Sequence, residues 1–240
     1  ELVALIGSGG KTTLMFALAA KMAVNGLRVL TTTTTKIFPP TSQQSKIVVV
    51  NRDPDELIAR LKSAFKLLNH VTAGFDRTEN HKLSGLPPEV VDELFQSDLA
   101  DVILVEADGA KGCPFKAPAA HEPVIPRTAT LVIPVFGLSG LNQPLTENTV
   151  FRPERFTEIS GCRPGEIVTI EHLARILTAP GGLCRDIPSS ARVIPFLNQA
   201  EVMDESASRA AAQTLSRQVS GLAEKILWGS LKNDWINTTA

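Results

Sequence analysis

Two short groups of residues have the types and spacing that phosphate chemistry requires. The first is the glycine loop, residues 7–13, which reads Gly-Ser-Gly-Gly-Lys-Thr-Thr. Glycines let the backbone turn sharply and bring its N–H groups close to an anion. A lysine at this position reaches the outer phosphates of a nucleotide, and the hydroxyl after it is a ligand for Mg²⁺. We therefore predict that the loop binds ATP or GTP through Gly7, Gly9, Gly10, Lys11, Thr12 and Thr13.

The glycine loop is shorter than the usual Walker A loop. Its first glycine, Gly7, precedes Lys11 by four residues, and Leu5 stands where the usual pattern has its first glycine. In this respect the loop resembles the shortened loops of Mur-type peptide ligases. Because glycine-rich turns between a strand and a helix also occur without ligands, a purely structural turn is the alternative interpretation.

The second group lies where an apolar run ends in two acids. Residues 101–109 read Asp-Val-Ile-Leu-Val-Glu-Ala-Asp-Gly, an order typical of a Walker B strand that delivers an acid to Mg²⁺. Carboxylates two residues apart on an extended backbone point the same way and repel each other unless a cation lies between them. We predict a metal site of Thr12, Glu106 and Asp108, and a catalytic set of Lys11, Glu106 and Asp108. Asp108 is the expected metal ligand and Glu106 the polarising group, although these two roles can be exchanged.

Alternating strands and helices position both groups. An apolar strand at 2–6, the helix after the glycine loop and a strand at 27–32 form a strand–helix–strand unit of a parallel sheet. Such a sheet binds ligands at the carboxyl ends of its strands. The predicted fold class is α/β, a doubly wound, mostly parallel sheet of P-loop NTPase type in three α/β/α layers, in one domain over residues 1–240. A late strand at 192–197 and an amphipathic helix at 206–227 are also predicted.

Five consecutive threonines, Thr31–Thr35, precede Lys36 at the end of the second predicted strand. In a parallel sheet the carboxyl end of that strand lies at the ligand edge, beside the glycine loop. Thr34 and Lys36 are therefore candidate contacts of the γ-phosphate, of Mg²⁺ or of an acceptor substrate. The alternative is a β-branched strand that simply runs into a loop.

A stiff, proline-rich loop at 110–127 leaves the same edge. Its prolines disfavour a helix, and it carries Lys111, Lys116 and His121. We predict that these side chains bind a charged substrate or partner, because loops at a ligand edge commonly do so. A rigid connector with solvated lysines is the alternative interpretation.

Asn198 follows the last predicted strand and opens the sequence Asn-Gln-Ala-Glu. Many GTPases hold guanine with Asn-Lys-x-Asp at the end of a strand. Here the asparagine is kept, whereas glutamine and glutamate replace the lysine and the aspartate. The pattern places a base pocket near Asn198 without choosing between ATP and GTP.

Composition narrows the classes of partner. The formal net charge of −1 creates no global field that favours nucleic acid or an anionic membrane. The three cysteines are far apart and form no zinc or redox motif, so a reduced, cytoplasmic setting is expected. The sequence shows no signal peptide, which would begin with charged residues and continue with an apolar stretch. No run reaches the ~18 apolar residues that span a bilayer. Because the chain begins almost on its first strand, we expect that a short leader was trimmed.

Several motifs together resemble the bacterial YqeC family, described as selenium-dependent hydroxylase accessory proteins. The resemblance implies a cytoplasmic P-loop nucleotide-binding protein that assists maturation of a selenium-dependent molybdenum hydroxylase. That hydroxylase, or its cofactor-assembly proteins, would be the partner. The likeness extends over nearly the whole chain and rests on the motifs at 7–13, 32–36 (Thr-Thr-Thr-Thr-Lys), 105–112 (Val-Glu-Ala-Asp-Gly-Ala-Lys-Gly), 114–118 (Pro-Phe-Lys-Ala-Pro), 121–126 (His-Glu-Pro-Val-Ile-Pro) and 152–156 (Arg-Pro-Glu-Arg-Phe).

Three hypotheses about function follow. The first is an NTPase or phosphoryl-transfer enzyme that serves cofactor assembly. The second is an ATP-dependent ligase or small-molecule kinase, for which a dedicated acceptor should strongly stimulate nucleotide turnover. The third is a non-catalytic, nucleotide-gated binding module, which predicts very slow hydrolysis and an affinity for its client that changes with the bound nucleotide.

Overall fold

The computed structural model describes residues 1–239 of the chain. These residues form two compact units that alternate along the sequence. The first unit contains Glu1–Leu5, Thr12–Gly109 and Val124–Leu131, and the second contains Ile6–Lys11, Ala110–Pro123 and the chain from Val132 onward. A single domain over residues 1–240 stays a prediction.

The first half of the chain supplies three helices and eight strands. The elements are β1 (Leu2–Gly7), α1 (Lys11–Val24), β2 (Val29–Thr33), β3 (Lys36–Ile37), β4 (Val48–Val50), α2 (Pro54–Phe65), β5 (His70–Gly74), β6 (Asp76–Arg77), β7 (Leu83–Ser84), α3 (Pro88–Gln96) and β8 (Val102–Glu106).

In the first unit the strand order is β1-β8-β2-β5-β4, and all of these neighbours are parallel. Every residue of β1, β2 and β8 is buried, as expected for strands of a parallel sheet covered on both faces. The register sets Glu106 level with Leu5 on one side and with Thr33 on the other. The carboxyl ends of three adjacent strands therefore lie side by side at Glu106.

Local signals explain the helix that follows β4. The Asp53 side chain accepts a hydrogen bond from the Glu56 backbone N–H at 2.9 Å, and Pro54 occupies the first helical position. Both features favour a helix start. Leu57, Leu61 and Ala64 are buried on one face, so the helix packs its apolar side inward.

The second half of the chain supplies the remaining elements. They are β9 (Phe115–Lys116), β10 (Leu131–Gly137), β11 (Val150–Phe151), α4 (Pro153–Ser160), α5 (Ile170–Thr178), β12 (Arg192–Val193), β13 (Phe196–Asn198), α6 (Glu205–Gln218), β14 (Leu227–Ser230) and β15 (Trp235–Thr238), with short 3₁₀ turns at Leu138–Gly140 and Ala200–Val202.

In the second unit the end of β1 lies beside β10, and the order continues through β13 and β14 to β15. The pairs β10–β13 and β13–β14 are parallel, whereas β15 is antiparallel to β14. The chain thus adds strands on one side of β1 in its first half and on the other side in its second half. The predicted fold class, a doubly wound and mostly parallel α/β sheet, is confirmed.

Two predicted elements near the C-terminus differ from the structure. The strand predicted at 192–197 is divided into β12 and β13, because Pro195 has no N–H to donate to a sheet ladder. The helix predicted at 206–227 ends at Gln218, and Leu227 already begins β14. Gly221 disfavours a helix interior by about 1 kcal/mol relative to alanine. The helix was predicted too long because Ile226, which lies beyond its end, is buried and continues the helical spacing of apolar residues.

Candidate functional site

The first part of the site lies at the carboxyl ends of β1, β8 and β2. The Thr12 hydroxyl, in the first turn of α1, donates a hydrogen bond to Glu106 Oε2 at 2.6 Å. Glu106 is only 6% exposed. A hydroxyl and a carboxylate oxygen are ligands that Mg²⁺ accepts in proteins. The structure therefore brings together two of the three predicted metal ligands.

Asp108, the third predicted ligand, is fully buried just beyond the end of β8. The residue between the two acids is fixed on both sides, since Ala107 N–H donates to Leu5 O and Ala107 O accepts from Val124 N–H, each at 2.9 Å. Within residues 1–239 no three His, Cys, Asp or Glu side chains cluster in a way that could hold a metal ion. A magnesium site of the P-loop type does not need such a cluster, because phosphate oxygens and water complete the coordination.

The threonines at the end of β2 bind the backbone of the neighbouring segments. The Thr33 hydroxyl donates to Glu106 O at 2.7 Å, and Thr34 N–H donates to the same oxygen at 3.1 Å. The Thr34 hydroxyl donates to Val124 O at 2.7 Å. Lys36 is exposed on β3. These bonds hold the strand ends in place, and contacts of Thr34 and Lys36 with a substrate stay a prediction.

The second part of the site is the start of the glycine loop. Gly9 and Gly10 have backbone φ angles of +82° and +129°, which residues other than glycine rarely adopt. A Cβ at Gly9 would also overlap the backbone nitrogen of Gly137. The Ser8 N–H donates to Val135 O at 2.8 Å, and the Ser8 hydroxyl donates to Cys113 O. The loop is thus packed directly against the end of β10 and the segment after residue 110.

Lys11 ends this part of the loop and begins α1. Its side chain is only 3% exposed, and its ammonium group donates to Gly7 O at 2.6 Å. No acidic residue lies in the first turn of α1, so no side chain of that turn neutralises the positive end of the helix dipole. Glycines, a buried ammonium and a helix N-terminus are the groups that bind phosphates, so the residues present fit a nucleotide.

Thr13 and Asn198 are the remaining residues predicted to contact the nucleotide. Thr13 is exposed in the first turn of α1. Asn198 ends β13, and its side-chain amide donates to Gly9 O at 2.8 Å. The structure therefore brings Asn198 to the glycine loop itself. A contact between Asn198 and a nucleotide base stays a prediction.

The proline-rich segment contains a buried ion cluster. The Lys116 ammonium lies 2.8 Å from Glu122 Oε2, and Arg152 reaches the same oxygen at 2.7 Å. Burial alone would raise the pKa of Glu122, but the hydrogen bond from Arg152 and the charge of Lys116 lower it to about 2. Lys116 is fully buried here, while Lys111 and His121 are exposed. Substrate binding by these three residues stays a prediction.

Arginines outside the segment satisfy its backbone, and the sequence analysis missed this role. Arg152 donates to Ala117 O at 3.1 Å, Arg155 donates to Pro118 O, and Arg185 donates to Ala119 O at 2.8 Å. Proline has no N–H, which interrupts a regular ladder of backbone hydrogen bonds, and here arginine side chains serve as donors to the carbonyl groups of the segment. The number of prolines was therefore a usable signal for side-chain donors, although it could not say which arginines supply them.

The fold and the glycine loop define the class of the protein, which is an α/β protein with a glycine loop between its first strand and first helix. The family described as "YqeC protein" matches residues 3–154, and the chain belongs to this family. The "Uncharacterized protein YqeC" of Escherichia coli strain K12 is 37% identical over 198 residues, which are 82% of this chain and 75% of the relative. The resemblance inferred from the motifs is confirmed.

Solved structures resemble the chain in fold alone. The MinC:MinD cell division protein complex of Aquifex aeolicus is 15% identical, with a TM-score of 0.45 over 94% of this chain and 80% of that one. FtsY from Mycoplasma mycoides is 13% identical, with a TM-score of 0.42 over 100% of this chain and 64% of its own. FlhF complexed with GMPPNP and Mg²⁺ is 13% identical, with a TM-score of 0.40 over 100% of this chain and 70% of its own.

Membrane-spanning helices were also sought. Across residues 1–239, no helix combines the length and the apolar character that crossing a bilayer requires.

Proposed function

We propose that this protein binds a nucleotide together with Mg²⁺ and acts as an NTPase or phosphoryl-transfer enzyme. The observation that carries the proposal is the 2.6 Å hydrogen bond between the Thr12 hydroxyl and Glu106 Oε2. It joins the hydroxyl of a glycine loop to an acid at the end of a neighbouring parallel strand. A hydroxyl and an acid in these two positions hold Mg²⁺ in P-loop proteins.

Each residue then has a defined task. The backbone of Gly7, Gly9 and Gly10 and the N-terminus of α1, with Thr13, hold the phosphates, and Lys11 stabilises the charge of the outer phosphate. Thr12, Glu106 and Asp108 hold the metal, and whichever of the two acids does not bind it directly positions the attacking group. Bound Mg²⁺ supplies neutralisation of the phosphate charge. Catalysis of this kind is mainly positional and electrostatic.

The dependence of nucleotide affinity on Mg²⁺ tests the proposal. Affinity for ATP and GTP is measured by calorimetry with and without Mg²⁺ on the wild type, Thr12→Ala and Glu106→Gln. The wild type should bind one or both nucleotides more tightly with Mg²⁺, and both variants should lose most of that gain. Glu93→Gln, which changes an exposed acid on α3, is the control. Equal affinities with and without Mg²⁺ in the wild type would overturn the metal assignment.

The proposed cellular role is maturation of a selenium-dependent molybdenum hydroxylase. Membership of the YqeC family supports this role through the resemblance described above. The client would be the hydroxylase itself or a protein that assembles its cofactor. The selenium and molybdenum contents of the hydroxylase are compared in cells that lack this protein, complemented with the wild type or with Lys11→Ala. Full contents without the protein would contradict the role.

The short glycine loop favours a second candidate, a ligase or small-molecule kinase. Gly7 stands only four residues before Lys11, as in the shortened loops of Mur-type ligases. Thr34, Lys36, Lys111, Lys116 and His121 are the proposed acceptor contacts. Nucleotide turnover that rises strongly with one acceptor would establish this candidate, whereas turnover that no acceptor changes would leave simple hydrolysis.

A further inference from the structure

Asn198 uses both ends of its side-chain amide. It lies at the carboxyl end of β13, level with Gly137 of β10, and is only 5% exposed. Its Nδ2 donates to Gly9 O at 2.8 Å, and its Oδ1 accepts from Leu231 N–H at 3.2 Å. A carbonyl can only accept and a backbone N–H can only donate, so these two partners fix the orientation of the amide.

The bond from Asn198 to Gly9 O acts on the peptide unit between Gly9 and Gly10. The Gly9–Gly10 peptide is trans, since the single cis bond within residues 1–239 is at Glu122–Pro123. In a trans peptide the carbonyl and the following N–H point in opposite directions. The glycines on both sides have positive φ angles, and their backbone is intrinsically less restricted than that of other residues. By holding Gly9 O, Asn198 turns the Gly10 N–H away from itself.

The amide also packs directly against the loop. A Cβ added at Gly10 would overlap Asn198 Nδ2. The asparagine therefore occupies the space beside Gly10 on that side of the loop. Both polar atoms of the Asn198 amide are thus used in hydrogen bonds, one to the glycine loop and one to the turn at Leu231.

We infer that Asn198 is a positioning residue that fixes the phosphate-binding conformation of the glycine loop. It acts through the Gly9–Gly10 peptide rather than by contact with the base. The inference rests on the proposed nucleotide function and deepens it, because it makes Asn198 a determinant of phosphate affinity for any nucleotide.

The same contact connects the loop to the C-terminal hairpin, β14 and β15. Leu231 begins the turn of this hairpin, and the Trp228 and Trp235 rings pack edge to face across it with centroids 5.3 Å apart. These residues lie outside the span 3–154 that the family matches. The hairpin therefore contributes to the order of the loop through one asparagine.

Inorganic triphosphate distinguishes positioning from base recognition, because it has phosphates and no base. Affinities for ATP, GTP and triphosphate are measured with Mg²⁺ on the wild type, Asn198→Ala and Asn198→Asp. Loss of the positioning bond should weaken all three ligands by the same factor, about tenfold for Asn198→Ala. Asn198→Asp should lose more, because a carboxylate would face the Gly9 carbonyl oxygen. Asn237→Ala, an exposed asparagine on β15, is the matched control.

A loss confined to ATP or to GTP, with triphosphate binding unchanged, would overturn the inference in favour of base contact. Unchanged affinities for all three ligands would overturn it as well. Amide order parameters of residues 9–11 in the ligand-free protein provide an independent readout, and they should fall in Asn198→Ala while the thermal midpoint stays close to that of the control. If the wild type binds none of the ligands, the proposed function fails, and unchanged order parameters would then refute the positioning role separately.

Discussion

Among single residues, Lys11 provides the most direct test of phosphate binding. Its ammonium is buried and donates to Gly7 O at 2.6 Å, and a bound phosphate would replace that neutral acceptor with a charged one. Hydrogen bonds to charged groups contribute about 1.5–3 kcal/mol. Lys11→Ala should therefore weaken nucleotide binding by roughly 10- to 150-fold, measured by calorimetry. Lys62→Ala, which changes an exposed lysine of α2, should leave the affinity unchanged, and equal affinities of Lys11→Ala and wild type would show that the phosphates lie elsewhere.

Glu122 is a second single residue whose substitution is informative, because it should affect the stability of the fold. Glu122→Gln removes the carboxylate that Lys116 and Arg152 both contact, and it leaves two cationic side chains beside a neutral amide. We expect the free energy of unfolding to fall by about 3–5 kcal/mol, measured in urea. Glu158→Gln, an exposed change on α4, should have almost no effect. A loss below 1 kcal/mol for Glu122→Gln would contradict the importance of the cluster.

The residues also show where sequence reasoning succeeded and where it did not. Thr12 and Glu106 were predicted together because a Walker-type loop and an acid at a strand end must meet at one edge of a parallel sheet. The bond from Asn198 to Gly9 depends on the register of β10 and β13, which separate segments of sequence do not reveal. The charge of Lys116 was visible, but its partner depends on the path of the whole proline-rich segment.

At the scale of elements, the contact between β2 and β5 should make stability depend on pH. His70 Nε2 lies 3.1 Å from the Thr31 hydroxyl, which lies 2.7 Å from the Thr72 hydroxyl. Burial lowers the pKa of His70 from 6.5 to about 4. The folded state thus binds fewer protons than the unfolded state between these values, and stability should be lost as pH falls from about 6.5 to about 4.

The variant His70→Gln isolates this effect. It removes the titrating group while keeping a polar side chain at the start of β5. Denaturant unfolding between pH 7 and 4 should show a shallower decline for the variant than for the wild type. His121→Gln, which changes an exposed histidine, should keep the wild-type slope. Identical slopes for wild type and His70→Gln would mean that other groups cause the decline.

The sequence marks the ends of some elements clearly and the ends of others hardly at all. The Asp53 cap with Pro54, and Thr169 before Ile170, mark the starts of α2 and α5. The end of α6 at Gln218 has no such mark except Gly221. Apolar residues after that helix continue its spacing because they pack inward from a turn and from β14. Periodicity alone therefore reports burial, and it identifies a helix only where capping residues agree.

At the scale of the whole molecule, the order of the strands defines the fold class. The chain adds strands on one side of β1 in its first half and on the other side in its second half. The alternation of apolar strands and helices was enough to predict this fold class. Membership of the YqeC family agrees with the motifs but specifies no reaction, so the chemistry must be measured.

The most direct measurement is a calorimetric titration of the full chain with ATP and with GTP, each with and without Mg²⁺, on the wild type and on Asp108→Ala. We expect one nucleotide per chain, tighter binding when Mg²⁺ is present, and a clear loss of that gain in Asp108→Ala, because this variant removes a carboxylate proposed to hold the metal at the end of β8. Absence of binding for both nucleotides in every condition would contradict the central claim, and the glycine loop would then be a structural turn.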